Sequence, residues 1–161
     1  MGSDPSKQFW LYSPQKRRAY KVELRIRGQV PLDVSIYDIV DPKFWEDHPD
    51  HMPLFLSKSV NELPKQGTAI ALVGWPQFHP SHSISVKHGT ISSTLTKSTI
   101  TYCETTAQII QGNSGGPLLD SNNNVIGIAS SGNNRENPEE VTMHTAILSQ
   151  NFLALLKQHN N

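Results

Sequence analysis

Gln111-Gly112-Asn113-Ser114-Gly115-Gly116-Pro117-Leu118 is the stretch whose chemistry decides the fold. It sets a serine among glycines that free the backbone to aim amides at a reacting carbonyl. Attack on an acyl carbon needs a hydroxyl at the tip of a tight turn and N–H donors for the developing oxyanion, and glycine permits the φ/ψ angles involved. Ser114 is therefore the candidate nucleophile, and the amides of Gly112 and Ser114 are the candidate oxyanion-hole donors. The same run also suits a plain turn between two strands. The flanks distinguish the two readings.

Downstream stand Leu118-Leu119-Asp120 and then Val125-Ile126-Gly127-Ile128-Ala129-Ser130-Ser131-Gly132. Upstream stand Leu72-Val73-Gly74-Trp75-Pro76, Gly89-Thr90-Ile91-Ser92 and Leu32-Asp33-Val34-Ser35-Ile36. With the serine loop, these pieces resemble the trypsin-like (chymotrypsin-fold) serine peptidases, and the Deg/HtrA-like or related intracellular branch more than the digestive enzymes. The resemblance runs over about residues 9–156. It implies Asp33 as the triad aspartate, with Asp38 and Asp41 as alternatives, and Val125 to Gly132 as the strand after the nucleophile.

One part of the pattern is missing. The family carries its triad in the order His, Asp, Ser, with the histidine in a Thr-Ala-Ala-His type sequence ahead of the aspartate. The seven histidines here are His48, His51, His79, His82, His88, His144 and His159, and all follow Asp33. Residues 8–33 resemble the stretch just downstream of the family's histidine, so the expectation is a truncated domain lacking its general base.

Length agrees: at 161 residues the chain holds one domain with a core, while a two-barrel peptidase domain takes roughly 180 to 250. With 14 basic and 14 acidic residues the formal charge is zero, and no general field draws nucleic acid or an anionic membrane. Lys16-Arg17-Arg18 reads as a solvated turn. The single cysteine forbids an intrachain disulfide and favours a cytoplasmic or other reducing compartment, with localisation otherwise unknown. Cys103 is expected as buried strand filler. The first residues lack the charged start and apolar run of a signal peptide, and no run of 18 apolar residues occurs. This form is expected to be soluble and untargeted.

Tyr20-Lys21-Val22-Glu23-Leu24-Arg25-Ile26-Arg27 alternates apolar and charged residues, as a half-buried antiparallel strand requires. Strands at 9–12 and 34–39 are its expected partners, and together they form a remnant of a first barrel over residues 1–40. Residues 41–66 form the connection between barrels, with Pro42, Pro49, Pro53 and no sustained period. Residues 67–161 carry expected strands at 69–73, 84–88, 89–95, 99–103, 117–120, 125–130 and 142–146, the number a complete second barrel needs. Asp120-Ser121-Asn122-Asn123-Asn124 is rich in residues that tolerate the left-handed region and predicts a hairpin turn. A helix over 150–158, capped by Ser149, closes the barrel with Phe152, Leu153, Leu155 and Leu156 on one side. A PDZ module after this helix is not expected. The fold class is all-β: a trypsin-like antiparallel double barrel, with a whole C-terminal barrel, the last strands of the N-terminal one and a C-terminal helix.

In the resemblance, Gln108 stands at the floor of the primary substrate pocket and leaves Arg or Lys without an acidic partner. Ser130, Ser131 and Gly132 form the edge that pairs with a peptide by strand addition. Asn113 replaces the aspartate that secreted members use to bind their freed N-terminus. His144 lies in the strand before the terminal helix, close to the pocket. His48/His51 and His79/His82 have i, i+3 spacing, but each pair lies in a Pro-containing loop with no ligand set to complete it, so solvated histidines are expected and no metal. The implied function is peptide-bond hydrolysis by a serine endopeptidase, inactive in this chain as it stands because the histidine is missing. The implied partner is a polypeptide substrate, with no cofactor, no nucleic acid and no membrane. The alternative is a non-catalytic peptide-binding or scaffold domain of the same fold. An exposed barrel seam would favour self-association, because it leaves strand edges and an apolar half-interface bare.

Overall fold

The computed structural model describes residues 8–56, 63–76, 83–131 and 143–159. The chain divides into two compact units, Met1–Pro53 and Leu54–Asn161. Among the described residues no helix is long and apolar enough to cross a membrane.

The first unit is a three-stranded antiparallel sheet, β1 (Phe9–Ser13), β2 (Arg18–Arg27) and β3 (Ser35–Ile39), in that order. The three strands expected here are all present. The Lys16-Arg17-Arg18 cluster forms the β1–β2 turn, where Arg17 takes a positive φ of 50°. Arg18 is not merely solvated, because its guanidinium pairs with Asp47 at 3.0 Å. Alternation in β2 buries Tyr20 and Ile26 and leaves the charged residues exposed.

The connection expected after β3 contains a short helix, α1 (Pro42–Asp47). Its formation is local chemistry that a search for period misses. Asp41 accepts the Lys43 amide at 3.0 Å as the N-cap, and Pro42 occupies the first turn, where its missing N–H costs nothing. Tertiary contacts hold the helix to the sheet: the Tyr20 hydroxyl donates to Asp47 at 2.9 Å, and the Tyr20 ring meets Phe44 edge-on with centroids 5.2 Å apart. His48 is not the solvated loop residue expected, since its ring packs against Phe44 at 4.8 Å and Tyr20 at 5.8 Å.

The second unit is a closed barrel. Strands β4 (Ala69–Gly74), β5 (Ser85–Lys97), β6 (Ile100–Thr105), β7 (Pro117–Leu119), β8 (Val125–Ser131) and β9 (Thr145–Leu148) close in the order β4-β5-β6-β9-β8-β7, with β7 returning to β4. The expected complete barrel is present with six strands rather than seven, because the segments expected at 84–88 and 89–95 are one continuous β5. Gly89 does not break it. A Cβ there would stand 2.5 Å from the Ala107 amide nitrogen, so the glycine lets another segment of backbone approach the strand.

Inside the barrel, Ile70, Leu72, Ile91, Ile109, Leu118, Ile126 and Leu148 pack into one apolar cluster with Cys103. Each such aliphatic side chain contributes about 1.5–3 kcal/mol on burial. Cys103 is strand filler as expected, and burial pushes its thiol up to about 11. The β7–β8 hairpin forms at Asp120, whose Oδ1 accepts the amides of Asn122 and Asn124 at 2.8 and 2.9 Å, with Asn123 at φ 61°. Burial works against the Asp120 charge, but the amides of Asn124 and Asn122 outweigh it and hold the carboxyl below its ordinary range.

Helix α2 (Ser149–His159) follows β9 directly and starts at Ser149 itself. Phe152 is buried. Asn151 also fastens the helix: its Nδ2 donates to Thr101 O at 2.8 Å and Leu148 O at 2.9 Å, and its Oδ1 accepts the Thr101 amide at 3.2 Å.

Candidate active site

The loop joining β6 to β7 is pinned along its length before it reaches Ser114. Thr105 donates its amide to His144 O at 2.9 Å, and Thr106 donates to Thr90 O at 3.0 Å. The Ala107 amide goes back to Thr105 Oγ1 at 3.0 Å. Lys87 Nζ reaches Gln108 O at 3.3 Å, the Ile109 amide donates to His144 Nδ1 at 3.1 Å, and the Ile109 side chain is buried in the core.

From that anchored approach the chain makes a tight double turn. Asn113 N donates to Ile110 O and Gly116 N to Asn113 O, both at 2.9 Å. Gly112 and Gly115 adopt φ of 95° and 84°, the left-handed region that glycine occupies without Cβ strain. The exit is clamped to β8, with Gly115 N donating to Ala129 O at 2.8 Å and Ala129 N to Gly116 O at 2.9 Å. A Cβ on Gly116 would run into Val73 O, so β4 fits against the turn only because this residue has no side chain.

Ser114 stands exposed at the tip of the turn, and its Oγ donates to Ser130 O at 3.3 Å. Among the described residues, the amides of Gly112 and Ser114 donate to no acceptor. Two N–H groups with no acceptor among the described residues, beside an exposed hydroxyl, are the kind of donors that acyl-transfer chemistry needs. Asn113, between them, is buried with its Oδ1 unpartnered. It packs beneath Gly74, where a Cβ would come within 2.5 Å of Asn113 Oδ1.

Gln108 is exposed, Ser130 is half-buried, and Ser131 closes β8 in register with Thr145. Gly132, His79 and His82 lie outside the described residues. Asp33 is exposed in the β2–β3 loop of the first unit, lining an open concavity of about 410 Å³ with Arg27, Val30 and Leu32. The two alternative aspartates are engaged, Asp38 with Arg25 at 3.4 Å and Asp41 as the α1 cap. No three His, Cys, Asp or Glu side chains converge as a metal site among the described residues. Sequence reasoning placed His144 near the pocket but missed its bond to the loop backbone. It also missed Gly74 as the cover over Asn113, although a glycine at the end of an apolar run is a signal of close backbone approach.

A family model described as Trypsin-like peptidase domain matches residues 7–128. Among solved structures, the serine endoprotease from Yersinia pestis superposes with a TM-score of 0.68 at 23% identity, covering 97% of this chain and 50% of the other. The HtrA-type protease AlgW, solved with a decapeptide, gives a TM-score of 0.68 at 22% identity, covering 97% of this chain and 45% of the other. At those identities the likeness is one of fold, and this chain spans about half the length of each. No curated protein matches the sequence.

Proposed function

This chain belongs to the trypsin-like peptidase domain family, and from that premise we propose that its full-length product is a Deg/HtrA-like serine endopeptidase with Ser114 as nucleophile. Ser114 Oγ would bond to the substrate carbonyl carbon while its proton passes to a histidine base. The amides of Gly112 and Ser114 would hold the oxyanion, a donor of this kind being worth about 10²–10³ in kcat. The histidine then returns the proton to the leaving amine, and water releases the acyl group. Asp33 would orient the histidine. A peptide substrate would add as a strand along Ser130, Ser131 and Gly132, with Gln108 facing the side chain on the acyl side.

The observation that carries this reading is a pair of amides, those of Gly112 and Ser114, with no acceptor among the described residues, on a left-handed glycine turn beside an exposed serine. The same site supports the reading that these 161 residues alone do not hydrolyse peptides. The Ser114 proton is held by a backbone carbonyl, Ser130 O at 3.3 Å, which cannot act as a base, and no histidine precedes Asp33.

The test is fluorophosphonate labelling combined with the intact mass of the native protein. The expected result is no labelling of the 161-residue chain, and labelling at Ser114 in a longer native product that carries an upstream Ala-Ala-His. Rapid labelling of the 161-residue form would overturn the missing-base reading. A native product with no upstream histidine and no labelling would leave the non-catalytic peptide-binding domain as the function.

A further inference from the structure

One peptide unit on the approach to Ser114 is held at both of its polar ends. The Gln108 carbonyl accepts Lys87 Nζ at 3.3 Å, and the amide on the same unit, that of Ile109, donates to His144 Nδ1 at 3.1 Å. The C=O and N–H of a trans peptide point in opposite directions. Lys87 and His144 therefore grip this unit from opposite sides. Immediately beyond it, Ile110 O accepts the Asn113 amide at 2.9 Å, so a rotation of the gripped peptide would pass directly into the serine turn.

An amide N–H can only donate, so His144 Nδ1 must carry a lone pair and the ring proton sits on Nε2. A second proton on the ring would occupy Nδ1 and turn an acceptor into a donor facing a donor. The bond would then be lost and the Ile109 N–H, on a residue only 1% exposed, would need another acceptor. The positive charge of Lys87 on the carbonyl polarises the same peptide and strengthens its N–H as a donor, which couples the two contacts.

The geometry points to Lys87 and His144 as positioning residues that clamp the Gln108–Ile109 peptide and set the approach to the Ser114 loop, with His144 acting only while its ring is neutral. Among the described elements around His144, the ionisable side chains are Lys87, His88 and Lys97 of β5 and Tyr102, the buried Cys103 and Glu104 of β6, the strand that pairs with β9. Lys87 is on Gln108 O, His88 is exposed, and Glu104 takes the Ser93 hydroxyl at 2.6 Å. Strands β8 and β9 and residues 105–117 contribute no ionisable group. The inference rests on the Ser114 loop being the reactive element of the proposed peptidase.

The test is nuclear magnetic resonance on the isotope-labelled 161-residue chain. The expected result is a scalar coupling across the hydrogen bond, between the Ile109 amide nitrogen and His144 Nδ1, present while the ring's own nitrogen shifts report it neutral and lost once they report a second ring proton. The Gly112, Asn113 and Ser114 amide resonances should move with the same midpoint as the His144 ring. His144→Asn, which presents a non-titrating Oδ1, should abolish that movement and keep the neutral-state positions, and His144→Ala should show the acid positions throughout. Lys87→Met should reduce the coupling. The clamp is overturned if the coupling is absent at high pH, if it is unchanged in Lys87→Met, or if the three amides still titrate in His144→Asn. The asparagine variant and the wild-type titration decide the matter even if the alanine variant does not fold. These resonances report hydrogen bonding rather than turnover, so a serine that proves inert in the full-length product would defeat the peptidase reading and leave this result standing.

Discussion

Gly74 at the end of β4 lies directly against Asn113, with the position of a Cβ only 2.5 Å from Asn113 Oδ1 and 3.1 Å from its Cα. The barrel wall and the serine turn are therefore in contact at a point where only hydrogen fits. Gly74→Ala is expected to push the turn away and cost about 1–3 kcal/mol, the usual range for overpacking. Gly67→Ala is the matched control. Gly67 has φ 82° but nothing within 4 Å of an added Cβ, so only the left-handed strain of about 1–2 kcal/mol should be felt there. Urea midpoints measure both costs. The Ser114 amide resonance should shift in Gly74→Ala and stay in place in Gly67→Ala, and the reverse would show that the contact does not position the turn.

Asn113 is 1% exposed and its Oδ1 has no partner. Asn113→Asp would bury a charge where a neutral acceptor already stands unpaired, at a cost of about 3 kcal/mol at neutral pH. Desolvation would raise the folded-state pKa of the new carboxyl above its unfolded value, so the variant should recover stability as the pH falls and the carboxyl becomes neutral. Thermal midpoints of variant and parent at pH values on either side of the carboxylate range check the sign. A deficit that is constant with pH would mean that the side chain has escaped to solvent.

These two residues show what the sequence conveys and what it withholds. The serine turn was legible because its chemistry is local: glycines at 112 and 115 supply the left-handed angles that the turn needs within a few residues. The Asp120 hairpin was legible for the same reason. Gly89 read as a break between strands, yet its meaning lies in the Ala107 amide that approaches it from another segment, and no period reports a contact of that kind. Helix α1 has six residues, too few for a hydrophobic period, and it depends on Tyr20 and Asp47, 27 positions apart. The acceptor role of His144 needs an amide 35 residues away, so from sequence it was only a histidine near a pocket.

Asn151 is the polar counterpart to Phe152 in docking α2. Its carboxamide satisfies both the N–H and the C=O of Thr101 near the start of β6. Asn151→Ala would leave those backbone groups without their partner in a part-buried site, and the expected loss is about 1–3 kcal/mol. Hydrogen exchange at the Thr101 amide should accelerate with it, while Gln158→Ala at the exposed end of the helix should change neither quantity. A stability change without faster exchange at Thr101 would mean that the loss comes from elsewhere in the helix.

Asp47 makes the first unit sensitive to acid. The Tyr20 hydroxyl is the largest influence on its carboxyl. Burial works in the opposite direction, and Arg18 and Lys43 add further support, so the carboxyl is lowered from 3.8 to about 2. Its folded-state pKa therefore lies below the unfolded one. The stability it contributes is complete above the unfolded value, near 3.8, and is lost as the pH falls toward about 2. Wild type should lose thermal stability across that window more steeply than Asp47→Asn, which is less stable at neutral pH but has no carboxylate to titrate. Tyr20→Phe should make the loss smaller and complete at a higher pH, because it removes the hydrogen bond that holds the folded-state carboxyl down, while the Phe44 ring contact at 5.2 Å is available to either side chain. If Tyr20→Phe and wild type lose stability at the same pH, the hydroxyl is not what holds Asp47 ionised.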